Sequence, residues 1–134
     1  MTTEQRTTLE DGGLLRVVPG WVRAEETAAL YAALEAEVPW RQETFQMGGW
    51  EVTQPRLTAW IGDPGAAYTY SRRTFEPQPW TTTLVSLRER LNAESEVPFN
   101  SVLANLYRDG RDSMGWHADK EPELGDNPLI ASLS

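Results

Sequence analysis

The chain has 134 residues, 40% hydrophobic and 24% charged, which are ordinary values for one soluble globular domain with a real core. It contains no cysteine, which excludes disulfides and thiolate metal sites, and its formal net charge of −8 argues against broad nonspecific binding to nucleic acid. No apolar run approaches a membrane span, and the opening Met-Thr-Thr-Glu-Gln-Arg lacks a signal peptide's apolar region. A soluble, cytoplasmic protein with no membrane partner is therefore expected.

Residues 1–13 read as a flexible polar N-terminus with a turn at Asp11-Gly-Gly13. Leu14 to Val18 reads as a strand, closed by Pro19-Gly20. From Arg23 to Val38 the apolar Ala28, Tyr31, Leu34 and Val38 recur at helical spacing, with Leu30 on the same side. Glu25 and Glu26 suit the positive end of that helix's dipole, and Pro39 ends it. Residues 41–73 read as short strands and turns: Thr44–Met47, Gly48-Gly49, Arg56–Ile61 and the turn Gly62–Gly65. This stretch carries Arg41, Arg56, Arg72 and Arg73 against Glu43, Glu51 and Asp63, a balance of +1 in a chain of −8. A locally non-acidic surface can still accept a phosphate backbone.

A second helix is expected from about Trp80 to Leu91, with Leu84, Leu87 and Leu91 on one face and Pro79 near its start. Phe99 to Arg108 is the clearest strand. One of its faces carries Phe99, Ser101, Leu103, Asn105 and Tyr107; the other carries Asn100, Val102, Ala104, Leu106 and Arg108. The face with Val102, Ala104 and Leu106 is expected to pack under the helices. The other turns from apolar to polar along its length, as a pocket lining does. Asp109-Gly110 supplies a turn, Met114 to Asp119 a further strand, and Leu129 to Leu133 the start of another.

On that further strand His117, the only histidine, and Asp119 would aim an imidazole and a carboxylate at one point. With a distant second histidine, such a pair forms the two-His-one-carboxylate triad of non-haem Fe(II) oxygenases. Alone it is also a common structural pair. The order of strand, inward Asn105 and Tyr107, Asp-Gly turn and His-x-Asp is what lifts it above that alternative.

The segment from Phe99 to Ser134 strongly resembles the AlkB family of Fe(II)/2-oxoglutarate-dependent dioxygenases, which remove alkyl groups from nucleobases. The matching residues are Asn105-Leu-Tyr107, Asp109-Gly110, His117-Ala-Asp119, Glu121-Pro-Glu-Leu-Gly125 and Pro128-Leu-Ile-Ala-Ser-Leu-Ser134. Upstream, Gln54-Pro-Arg-Leu-Thr-Ala-Trp60 and Tyr68-Thr-Tyr-Ser71 also look like that family, nearest its animal DNA-repair-type members. The resemblance implies an α+β fold, a double-stranded β-helix (jelly-roll) with N-terminal helices packed on the sheet. Residues 14–134 would form an AlkB-like domain lacking the C-terminal part of the barrel.

It further implies that His117 and Asp119 hold Fe(II) and are catalytic, and that Asn105 and Tyr107 bind the cosubstrate 2-oxoglutarate. Arg56, Tyr68, Tyr70 and Ser71 would form the nucleotide-recognition lid and pocket wall, with Glu121 near the target base. The partner would be alkylated DNA or RNA with a flipped or single-stranded base, met by a monomer when full length. The family pattern continues with a second histidine and arginines for 2-oxoglutarate. Their lack after Ser134 suggests a fragment, inactive by itself.

On spacing alone, Tyr68 and Tyr70 are equally a cross-strand packing pair. Trp50, after Gly48-Gly49, admits a base-stacking or a buried reading. Trp116 is expected in the core, and Glu123 and Asp126 in a solvated loop. The leading function is oxidative dealkylation of nucleobases. The alternatives are a non-catalytic nucleic-acid- or partner-binding remnant, and an oxygenase of the same fold acting on protein or a small molecule.

Overall fold

Residues 3–70, 72–117, 124 and 128–134 are described by a computed structural model, with the backbone alone for Tyr70. The chain divides into two units, Met1–Ala36 and Glu37–Ser134. The architecture is α+β, as expected.

In the first unit, β1 (Gln5–Thr8) pairs antiparallel with β2 (Leu14–Val17), from Gln5 opposite Val17 to Thr8 opposite Leu14. The unpaired tail read from the polar composition therefore gives way over these residues. Two β-branched threonines suit an extended ladder, and Arg6 and Arg16 share the carboxylate of Glu4. The connection is held by Leu9 N–H on Gly13 O (2.7 Å) and Gly13 N–H on the Asp11 carboxylate (2.9 Å). Helix α1 spans Ala24–Glu37. Its six alanines favour the helix intrinsically, Glu25 and Glu26 fall in its first turn, and the Glu26 carboxylate accepts Arg23 N–H at 2.9 Å. No residue of the helix is buried; the burial expected of its apolar stripe begins only at Val38.

The second unit is organised by β5 (Leu57–Gly62) and β8 (Ser101–Leu106), antiparallel from Leu57 opposite Leu106 to Gly62 opposite Ser101. Residues directly opposite share a face. Leu57, Ala59 and Ile61 thus lie with Leu106, Ala104 and Val102, and this is the more buried side of β8, as its alternation foretold. Thr58 and Trp60 lie with Asn105 and Leu103 on the opposite face. The second edge of β5 is met by isolated bridges from Arg41 to Thr58 and from Gln78 to Ile61. Gly62 is required by close approach: a Cβ there would stand 2.9 Å from the Asn100 carbonyl oxygen.

Two hairpins flank the ladder in sequence. In the first, β3 (Thr44–Met47) pairs with β4 (Trp50–Thr53) through Gly48 and Gly49, both at positive φ. In the second, β6 (Tyr68–Tyr70) pairs with β7 (Arg73–Phe75), with Arg72 at φ 64°. Cross-strand threonine hydroxyls bond in both, Thr44 to Thr53 at 3.0 Å and Thr69 to Thr74 at 3.1 Å.

Helix α2 (Thr82–Glu94) is capped by Thr81, whose hydroxyl accepts Leu84 N–H at 3.3 Å, and it buries Leu84 and Leu87. Trp80 Nε1 donates to Asp63 at 2.8 Å, and the Arg88 guanidinium lies 4.3 Å from the Trp80 ring centroid. The α2 end of the chain is thereby tied to the turn after β5. The apolar core is Val38, Phe45, Ala59, Ile61, Leu84 and Leu87.

Two expected strands do not form. Met114–His117 and residues 128–134 have no regular structure, and Asp119 lies outside the described residues. A strand exists through its ladder, and no described segment pairs with either stretch. For the same reason Trp116 has no inward face to occupy and is fully exposed, not in the core.

Candidate functional site

Extending the β5–β8 register one step beyond Leu57 and Leu106 sets Arg56 opposite Tyr107. Arg56 NH1 donates to the Tyr107 hydroxyl at 3.5 Å, the long end of a hydrogen bond. Arg56, Thr58, Asn105 and Tyr107 therefore occupy one face of one ladder. The fold brings together three residues that sequence reading had assigned to two different tasks.

That face opens on a groove lined by Glu43, Phe45, Gln54, Arg56, Thr58, Trp60, Tyr68, Phe75 and Leu103, among others. Its aromatic wall is continuous: Tyr68 stacks on Phe75 (centroids 5.6 Å apart) and meets Trp60 at 4.9 Å, while Phe75 meets Phe45 edge-on at 6.3 Å. Tyr68 and Phe75 are direct cross-strand partners, so Tyr68 is a packing residue as well as a groove residue. The Arg73 guanidinium lies 4.9 Å from the Phe75 centroid, and donates to Glu43 at 3.1 Å and Thr44 O at 3.0 Å. Glu43 also faces Arg41 Nε at 3.7 Å.

Arg56 departs from what its residue type suggests. It is only 7% exposed, and its Nε is buried with no hydrogen-bond acceptor among the described residues. A guanidinium so placed is not reaching out to a solvated phosphate. It stands in the groove floor as a donor awaiting an acceptor. Gln54 and Thr58 are buried polar neighbours in the same lining.

His117 is exposed on the loop after β8, and the described lining of the groove does not include it. Its Nδ1 lies 2.9 Å from Gly115 O. A carbonyl oxygen only accepts, so Nδ1 is the donor in this bond. A carbonyl partner on one ring nitrogen is the usual arrangement for a histidine that ligates a metal through the other. Among the described residues no three His, Cys, Asp or Glu side chains gather. Ser71, Asp119 and Glu121, and the side chain of Tyr70, lie outside the described residues.

Between Arg108 and Met114 only the Asp109-Gly110 turn was expected. This stretch contains two arginine–aspartate forks. Asp112 accepts Arg108 Nε (2.7 Å), NH2 (3.0 Å) and backbone N–H (2.9 Å); Asp109 accepts Arg111 NH2 (2.8 Å) and N–H (2.8 Å). The Arg108 side chain, then its backbone N–H, hold the Asp112 carboxyl down to about 2. The i,i+4 alternation of Arg108 and Asp112 was the signal available in the sequence. Trp50, left open between two readings, is exposed, and shares its hairpin face with Met47, Phe45 and Val52.

Residues 14–134 match the 2OG-Fe(II) oxygenase superfamily, and the chain belongs to that family. The human alpha-ketoglutarate-dependent dioxygenase alkB homolog 3 is 45% identical over 129 residues, covering 94% of this chain and 44% of that protein. Its Bos taurus counterpart is 45% identical over 91% of this chain and 43% of its own length. The human DNA oxidative demethylase ALKBH2 is 37% identical over 81% of this chain and 43% of its own length. The chain thus spans less than half the length of the curated relatives it matches.

Proposed function

We propose that this protein, in its natural full-length form, oxidatively removes alkyl groups from nucleobases in DNA, and in RNA, using Fe(II) and 2-oxoglutarate. The observation that carries the proposal is the alignment of Arg56, Asn105 and Tyr107 on one ladder face, followed by a histidine whose Nδ1 proton is committed to Gly115. The names of the relatives, a dioxygenase and a DNA demethylase, support it.

In this reading His117 Nε2 and the Asp119 carboxylate hold the metal, and Asn105 and Tyr107 hold 2-oxoglutarate by hydrogen bonds. Bound together, iron and 2-oxoglutarate would supply oxidation by dioxygen, one oxygen atom passing to the alkyl carbon and the other to the cosubstrate, which loses carbon dioxide and becomes succinate. Arg56 offers its buried donors to an acceptor in the groove. The row Trp60, Tyr68 and Phe75 gives a planar base an apolar wall, and Tyr70, Ser71 and Glu121 complete the substrate side. An unpaired or single-stranded base costs least to bring there. The proposal includes a double-stranded β-helix containing the β5–β8 ladder, the role of residues 14–134 as one dioxygenase domain, a monomeric state and a cytoplasmic location.

The test is incubation of the natural gene product with an oligonucleotide containing 1-methyladenine, Fe(II) and 2-oxoglutarate. Succinate release matched by loss of the methyl group is expected, and His117→Ala or Asp119→Ala should abolish both. Turnover retained in either variant would overturn the assignment.

A further inference from the structure

The loop between Tyr107 and His117 is tied at its start and at Ser113 by neighbouring residues of one strand entry. Tyr107 meets Arg56 at 3.5 Å, and Ser113 N–H donates to Pro55 O at 3.0 Å. Between these ties the chain must reverse within five residues and then release His117. What holds the reversal is Asp112. Its carboxylate takes three donors from Arg108, two from the guanidinium fork and one from the backbone, and its side chain is only 8% exposed. Asp112 N–H closes the turn further on Asp109 O at 3.1 Å. The neighbouring Arg111–Asp109 fork differs: the Arg111 side chain is 90% exposed, so its pair is open to water and screening.

We infer that Asp112 is a positioning residue, whose clasp on Arg108 fixes the spacing between the cosubstrate residue Tyr107 and the metal residue His117. This rests on the function proposed above and adds a residue that acts through two others. Both forks are bidentate with a backbone donor, but the Asp112 carboxylate is 8% exposed against 48% for Asp109, so its hold is shielded from water. Loss of the clasp frees the five residues between the Pro55 and Arg56 ties to take other shapes, and His117 then meets its partners in only part of the population. Residues that orient metal ligands typically cost about 10–100-fold in metal affinity when removed.

The experiment is Mn(II) binding to the natural gene product in the presence of 2-oxoglutarate, read from the electron paramagnetic resonance signal of unbound Mn(II), with no turnover involved. Asp112→Asn keeps an acceptor for the Arg108 backbone but loses the charged fork; it should weaken Mn(II) binding about tenfold or more. Arg108→Ala should do the same, and the double variant should be no weaker than the worse single one, because both remove one clasp. Asp109→Asn is the control and should stay within about twofold. Circular dichroism below the thermal midpoint selects folded protein for every comparison.

A purely structural role would lower the midpoint of Asp112→Asn and leave the Mn(II) affinity of the folded protein unchanged, which overturns the inference. Additive losses in the double variant overturn it as well. If the unsubstituted protein itself fails to bind Mn(II), the proposed function falls and this inference falls with it.

Discussion

Replacing Arg56 by Met separates what the groove needs from what the fold needs. Arg56 is 7% exposed and its Nε has no acceptor among the described residues. A buried unsatisfied donor costs about 1–3 kcal/mol, more when charged. Against this stands, among the described residues, one long bond from NH1 to Tyr107, worth at most about 1 kcal/mol at 3.5 Å. Methionine keeps an unbranched stem of similar length and fills irregular space well. Arg56→Met should therefore leave the folded state as stable as before or raise it by up to roughly 2 kcal/mol. In a domain of this size that is an increase of up to about 5–10 °C in the thermal midpoint. Urea unfolding should show a higher midpoint at unchanged slope, while dealkylation is lost. Stability gained with function lost marks a residue kept for its chemistry. A loss of more than about 1 kcal/mol would refute the reasoning, since Arg56 would then be holding the fold through contacts the geometry does not contain.

Ile61 has no exposed surface, so Ile61→Ala should cost about 2–5 kcal/mol and Ile61→Val about 0.5–1.5 kcal/mol by denaturant unfolding. Near-equal costs would show that the site collapses around the smaller residue. Arg72 holds φ at 64°, where a side chain is strained, so Arg72→Gly should stabilise the protein by about 0.5–1 kcal/mol in thermal melts; a loss would place the strain elsewhere. Asp112 is depressed from 3.8 to about 2 by Arg108. Its contribution to stability is thus fully present above the ordinary carboxylate value and lost as pH falls toward the depressed one. A carboxyl titration followed by nuclear magnetic resonance should give a midpoint near 2, and a midpoint near 4 would mean the clasp is open in solution.

Local signals in the sequence carried the helices and the best strand. The Leu84 and Leu87 spacing and the alternation of Val102, Ala104 and Leu106 each act within a few residues, and each reappears in the structure. The α+β class and the ladder face bearing Asn105 and Tyr107 were legible for the same reason. The misreadings share one cause, dependence on a partner distant in sequence. Trp116 looked like core because tryptophan usually is, but burial needs an opposing surface, and Met114–His117 has no described ladder to provide one. Arg56 was placed in the lid and pocket wall by the resemblance alone, and its burial opposite Tyr107 depends on a strand far along the chain. The Asp112 clasp went unread because an i,i+4 arginine–aspartate pair ordinarily sits on a helix surface, and here it closes a loop.

The β5–β8 ladder differs in timing from every other pairing in the chain. The hairpins β1–β2, β3–β4 and β6–β7 join strands separated by a few residues, so each can form within microseconds. Joining Gly62 to Ser101 means closing a loop of about 40 residues that contains β6, β7 and α2, and loop-closure entropy grows with that length. On loop-closure entropy alone, the groove floor should assemble after the hairpins. Any ligand that touches both Arg56 and Tyr107 bridges the two strands at this slow step, so its main kinetic signature should be slower unfolding, with little change in the rate of folding.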